Sequence, residues 1–159
     1  SSDKTARLWD RKGNLLAIFD KHGDSVSDAA FSPDGNRILT AGGVTVRLWD
    51  TQGELLKVLR GHEDLVFITK FSPDGSRILT AGRDHTARLW DREGNLLAVF
   101  RGHKYLIDDA EFTPDGRYIV TVSIQDDTTR VWDISAAIAA NAEQATALQA
   151  SQGSVSNKN

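Results

Sequence analysis

Four tryptophans divide this chain into nearly equal lengths, and that spacing limits its possible folds more than any other feature. Trp9, Trp49, Trp90 and Trp132 stand 40, 41 and 42 residues apart. Each closes the same phrase: Ala6-Arg7-Leu8-Trp9-Asp10, Val46-Arg47-Leu48-Trp49-Asp50, Ala87-Arg88-Leu89-Trp90-Asp91 and Thr129-Arg130-Val131-Trp132-Asp133. Upstream of the last three lie Phe31-Ser32-Pro33-Asp34-Gly35, Phe71-Ser72-Pro73-Asp74-Gly75 and Phe112-Thr113-Pro114-Asp115-Gly116, which hold all 3 prolines. A period near forty implies stacked supersecondary units, each burying its apolar surface against its neighbours. Helical units of that period are excluded, because Pro-Asp-Gly and a second glycine in every repeat would break both helices.

Each repeat reads as four short strands. In the middle repeat these are Val66 to Phe71, Arg77 to Ala81, Thr86 to Trp90 and Leu96 to Phe100. The first two are joined by Ser72-Pro73-Asp74-Gly75, where proline presets φ and glycine accepts the positive φ that closes a hairpin. Strands such as Ile78-Leu79 and Val66-Phe67-Ile68 are apolar on both faces, as sheets stacked face to face require. The prediction is an all-β fold of β-propeller blades, each with four antiparallel strands, forming an incomplete ring. It comprises two strands (Thr5 to Trp9, Leu15 to Phe19), two full blades and three strands (Leu106 to Trp132). Residues 1–133 form the blades. Residues 134–159 form an Ala-rich tail, helical to about Ala150 with Ser135 as its cap, and disordered over 151–159.

Net charge is -3 with both signs interspersed, which argues against nucleic acid as a partner. Apolar runs are of strand length, so no membrane association is expected. With no cysteine, there is neither a disulfide framework nor a thiolate site, and the cytoplasm is the expected location. The chain has no methionine and begins Ser1-Ser2-Asp3, suggesting a segment of a longer protein.

Taken together, the Gly-His pair, the Pro-Asp-Gly turn and the Trp-Asp ending resemble the WD-repeat family, over residues 1 to 133. The near-identical repeats are similar to propellers that end large bacterial signalling proteins. The resemblance implies a buried tetrad in each blade, made of a His, a Ser or Thr, an Asp and the Trp. By position these are His62, Thr80, Asp84 and Trp90 in the middle blade. In the last they are His103, Thr121, Trp132 and either Asp126 or Asp127. The first full blade has His22, Thr40 and Trp49 but lacks the Asp, its turn being shortened to Gly42-Gly43-Val44, and is expected to be the softest. A neutral imidazole has one donor and one acceptor, so it can link a hydroxyl to a carboxylate without leaving a buried polar group unpaired.

Other chemistry finds little support. Repeat-related histidines are spread around a ring and cannot converge on a metal, and His85 reads as a solvated turn residue. Neither acidic pair makes a convincing acid and base: adjacent strand residues point to opposite faces, which separates the carboxylates of Asp108-Asp109, and Asp126-Asp127 reads as an irregular turn with one member spent on the tetrad. Arg7, Arg47, Arg88 and Arg130 read as solvated or paired blade edges. No cofactor, metal or catalytic residue is predicted. The resemblance places partner contacts three and five residues after each His and just before the turn Asp: Ser25 and Ser27; Leu65, Phe67 and Arg83; Leu106, Asp108 and Gln125. The expected function is a scaffold for a protein or peptide, within a larger protein or within a six-bladed ring made by two copies. The alternative is a propeller hydrolase with an axial carboxylate or cation site.

Overall fold

A computed structural model describes residues 1–153, with side chains described through residue 146. Thirteen strands and one helix follow in chain order. The first two, β1 (Ala6–Trp9) and β2 (Leu15–Phe19), pair alone. One four-stranded sheet follows, formed by β3 (Val26–Phe31), β4 (Arg37–Gly42), β5 (Thr45–Asp50) and β6 (Leu55–Leu59). A second is formed by β7 (Val66–Phe71), β8 (Arg77–Gly82), β9 (Thr86–Asp91) and β10 (Leu96–Arg101). The last sheet has three strands, β11 (Asp109–Phe112), β12 (Tyr118–Ser123) and β13 (Thr128–Asp133), and leads into α1 (Ile134–Gly153). All pairings are antiparallel between sequence neighbours, giving an open array of blades.

Three cores hold the array together, each between adjacent sheets. One joins Phe19 to Ile38 and Trp49, the next joins Leu39 and Leu48 to Ile78 and Trp90, and the third joins Leu79 and Leu89 to Ile119 and Ile134. Side chains alternate along a strand, so the neighbours Ile38 and Leu39, both buried, enter different cores, as do Ile78 and Leu79. Backbone bonds join the blades as well: Val66 N–H donates to Gly43 O at 2.9 Å and Ile107 N–H to Gly82 O at 3.1 Å. β11 begins at Asp109 and not at the expected Leu106, its ladder with β12 starting at the pairing of Asp109 with Val122.

The aspartate after each tryptophan shows how local sequence selects structure. Asp91 Oδ1 accepts the Glu93 and Asn95 N–H groups at 3.0 and 2.8 Å, closing the turn into β10 around Gly94 with φ 84°. After Asp133 comes Ile134-Ser135-Ala136-Ala137, without the glycine. Asp133 Oδ1 instead accepts the Ala136 N–H at 2.9 Å and caps α1, as an N-cap carboxylate does. The expected cap, Ser135, lies inside the helix and is exposed. The helix also continues to Gly153, past the expected end at Ala150. The disorder expected of 154–159 lies outside the described residues. No described helix is long and apolar enough to cross a membrane.

Candidate functional site

In the middle blade four side chains form one hydrogen-bonded line. Trp90 Nε1–H donates to Thr80 Oγ1 at 2.9 Å, Thr80 meets His62 Nε2 at 2.7 Å, and His62 Nδ1–H donates to Asp84 Oδ2 at 2.8 Å. Asp84 also accepts the Glu63 N–H at 3.2 Å and the Thr86 N–H and Oγ1–H at 3.1 and 2.8 Å. Burial alone would raise the Asp84 carboxyl, but the bond to His62, its charge and the other donors together hold it well below the usual carboxylate range.

The last blade repeats the line. Trp132 Nε1–H donates to Thr121 at 2.9 Å, Thr121 meets His103 Nε2 at 2.8 Å, and His103 Nδ1–H reaches Asp126 at 3.0 Å. Asp126, not Asp127, takes the carboxylate position; Asp127 occupies the turn with φ 53°. The hydrogen bond from Thr128, above all, keeps the Asp126 carboxyl low.

The first full blade differs at its outer end. Trp49 Nε1–H donates to Thr40 at 2.7 Å and Thr40 meets His22 Nε2 at 2.9 Å, but the partner of His22 Nδ1 is Arg47 Nη1 at 3.1 Å. A guanidinium only donates, so Nδ1 must accept and the proton of a neutral His22 sits on Nε2. Burial, then Arg47, pushes the His22 imidazole down to about 4.

The arginines correct an expectation. Arg88 is buried at 6% exposure and pairs with Asp84 at 3.9 Å, and Arg47 and Arg130 are half-buried; of the expected solvated or paired edges, these three form no solvated one. Arg88 packs on the α-carbon of Gly61, where an added Cβ would sit 2.4 Å from Nη1, and Arg130 packs likewise over Gly102 at 3.0 Å. The glycine of the Gly-His pair therefore provides the room that the arginine occupies. In the first full blade Lys21 stands in place of that glycine, and Arg47 turns instead to His22 and to Thr45 Oγ1, at 2.9 Å. Arg7 is exposed and pairs with Asp3 at 2.7 Å.

The contact positions lie where the turns joining second to third strands meet the loops between blades. Leu65 O accepts the Arg83 N–H at 2.8 Å, and Arg83 Nε approaches Asp64 at 4.0 Å. Phe67 is 39% exposed, and Leu65 and Leu106 are half-buried. Ser25 and Gln125 are exposed. Ser27 Oγ–H is taken up by Val66 O at 2.6 Å, and Asp108 Oδ2 by the Ile124 N–H at 2.7 Å. His85 is exposed with φ 62°. Sequence reasoning missed Val44, Tyr105 and Ile124 at this end of the blades, exposed by 44, 48 and 68%. Their signal was available: large apolar side chains in turns otherwise filled by polar residues. Among the described residues, no three His, Cys, Asp or Glu side chains gather to hold a metal.

Comparison with known families gives three consecutive matches to the model described as WD domain, G-beta repeat, over residues 13–50, 53–91 and 94–133. Each match begins before the last strand of one sheet and ends on the third strand of the next, so the repeat in sequence is staggered by one strand from the sheet in space. No curated protein matches the chain.

Proposed function

We propose, from the premise that the chain belongs to the WD40 family of WD-domain, G-beta repeats, that it is a non-enzymatic platform capturing a protein or peptide. The capture face is the end of the blades carrying Leu65, Phe67 and Arg83, flanked by Ser25 and Ser27 on one side and Leu106, Asp108 and Gln125 on the other. One observation carries the reading. The polar residues common to the repeats are spent on hydrogen bonds inside the blades, whereas the positions that differ between blades include an exposed Phe67 and an exposed Arg83 at the same end of the middle blade. Aromatic residues and arginines are the side chains on which binding energy concentrates.

We also place the chain in a ring completed by further blades, as the carboxyl-terminal region of a longer cytoplasmic protein. Supporting this, among the described residues no fourth strand pairs with β13 and no first two strands join β1 and β2. The two-copy ring would pair β2 of one copy with β13 of the other. A monomer in sedimentation excludes that arrangement.

Peptide selection from a displayed library on the full chain tests the capture face. Phe67→Ala and Arg83→Glu should each weaken the selected peptides by about 30-fold. Equal binding to wild type and both variants would defeat the reading.

A further inference from the structure

The first full blade lacks more than a carboxylate; it keeps the place where one belongs. In the middle and last blades the turn aspartate gathers donors that converge on one point: the histidine Nδ1, the next residue's N–H (Glu63, Lys104) and the threonine that opens the third strand (Thr86, Thr128). The first blade has His22, Gly23 and Thr45 at these places, but its turn is one residue shorter. The Thr45 hydroxyl donates to Gly42 O at 3.2 Å, and Arg47 Nη1 donates to His22 Nδ1 and Thr45 Oγ1 where the carboxylate would sit. The Gly23 N–H meets no acceptor among the described residues. What the shortened turn leaves is a notch of about 290 Å³, open to solvent and lined by Gly23, Gly43, Thr45 and Arg47, with Leu65 of the next blade on its wall. Arg47 brings a full positive charge to it; its buried Nε has no partner, as is true of Arg88 and Arg130 in the other blades, so it is the charge and the open space that set this blade apart. Asp24, the one carboxylate on the lining, has Oδ1 on its own neighbour, the Ser25 N–H, at 2.7 Å.

We propose that this notch receives an aspartate or glutamate side chain of a bound peptide, whose carboxylate completes from outside the line that Asp84 and Asp126 complete from within. The inference rests on the capture reading, since Leu65 belongs to both surfaces, and it assigns the peptide an acidic anchor. Arg47 swings from His22 to the incoming carboxylate. The His22 proton then moves from Nε2 to Nδ1 by exchange with solvent, with no net uptake, so that Nδ1–H can donate to the carboxylate and Nε2 can accept from Thr40, as in the middle blade. The notch holds more than a carboxylate, leaving space for the anchor's stem and backbone.

The test titrates the full chain, with ¹⁵N-labelled histidine, with acetyl-Ala-Glu-Ala-amide, its Gln counterpart, and acetylated tri-alanine with a free carboxyl end. Free His22 should carry its proton on Nε2, and saturation with the Glu peptide should move it to Nδ1. The Glu peptide should bind at least ~10-fold more tightly than the Gln peptide, the scale of a charge-assisted pair. Tri-alanine binding as tightly as the Glu peptide would replace a side-chain anchor with a terminal one and overturn the proposal as stated. Arg47→Gln should bring the Glu/Gln ratio near one. Replacing Gly43 and Val44 by the three residues found at Arg83–His85 should do the same by supplying the acid internally. Equal binding of Glu and Gln peptides, no binding of either, or a His22 proton unmoved at saturation would each sink the notch. Library peptides that still depend on Phe67 would meanwhile leave the platform standing, and their absence would remove the platform itself.

Discussion

The middle blade and the first full blade hold the same His-Thr-Trp line, but the middle line ends on a carboxylate and the first on a guanidinium. Imidazole tolerates both because its two nitrogens can exchange roles. The exchange has a consequence two bonds away. In the middle blade the Thr80 hydroxyl receives from Trp90 and donates to His62 Nε2. In the first, Trp49 Nε1–H and His22 Nε2–H both point at Thr40 Oγ1, and the Thr40 proton meets no other acceptor among the described residues. An unmet buried donor costs on the order of 1–3 kcal/mol. Reversing the charge at one end of a polar chain is thus felt at the other, inside the core.

The sharpest way to break this comparison is to remove the outer member of each line. Asp84→Ala strands the buried Nδ1–H of His62, the Glu63 N–H and the Thr86 hydroxyl, and should cost about 3 kcal/mol, as breaking a buried pair does. Arg47→Ala removes a half-buried donor and leaves His22 free to change tautomer, so about 1 kcal/mol is expected. Hydrogen exchange resolved by amide would report each blade separately, which suits a repeat array whose units open in part. Equal losses in the two blades would mean that the carboxylate and the guanidinium are interchangeable, contrary to the account above.

A smaller effect separates the residues before the histidines. Gly61→Ala brings a Cβ to 2.4 Å from Arg88 Nη1, at a backbone φ of 145°. It should cost about 2 kcal/mol through overpacking and strain. Lys21→Ala, at the equivalent exposed position, should stay within about 0.5 kcal/mol. Urea midpoints of the two variants check this, and a costly Lys21→Ala would show that the lysine does more than occupy the place of a glycine.

What the sequence revealed followed the range of each signal. The Trp period, the Pro-Asp-Gly turns and the strand limits are local, set by φ preferences and side-chain alternation within a few residues, and they stand in the structure nearly residue for residue. The missing acid was also plain from the shortened Gly42-Gly43-Val44 turn. Its consequence was not, because Arg47 and Lys21 lie on different elements and meet only in the folded blade. A reading that leaves arginines on solvated edges overlooks that glycine before His62 and His103 makes room for a buried guanidinium. The cap of α1 was misplaced for a related reason: the Trp-Asp ending was read as a fixed unit, whereas the residues after Asp133 decide whether it closes a turn or starts a helix.

Acid should separate the two blades once more, with the smallest effect of the three. Burial and Arg47 hold the His22 imidazole near 4, with the Ser1 amine adding to the fall and Asp20 opposing it, against an unfolded value of about 6.5. Between these values the unfolded chain takes up a proton that the folded blade refuses. Stability is therefore full above about pH 6.5, falls as pH drops toward 4, and loses nothing more from this group below that. With solvent reaching Arg47 and Asp20, a net loss of about 1 kcal/mol is reasonable across the window. The Asp84 carboxyl is lowered as well, but for an acid this favours the charged form, so its contribution is kept until pH falls below the ordinary carboxylate value, near 3.8. Lowering the pH from 7 to 4.5 should thus erode exchange protection at Leu39 to Ala41 while sparing Leu79 to Ala81. Parallel erosion of the two segments would show that the guanidinium does not set the acid response of its blade.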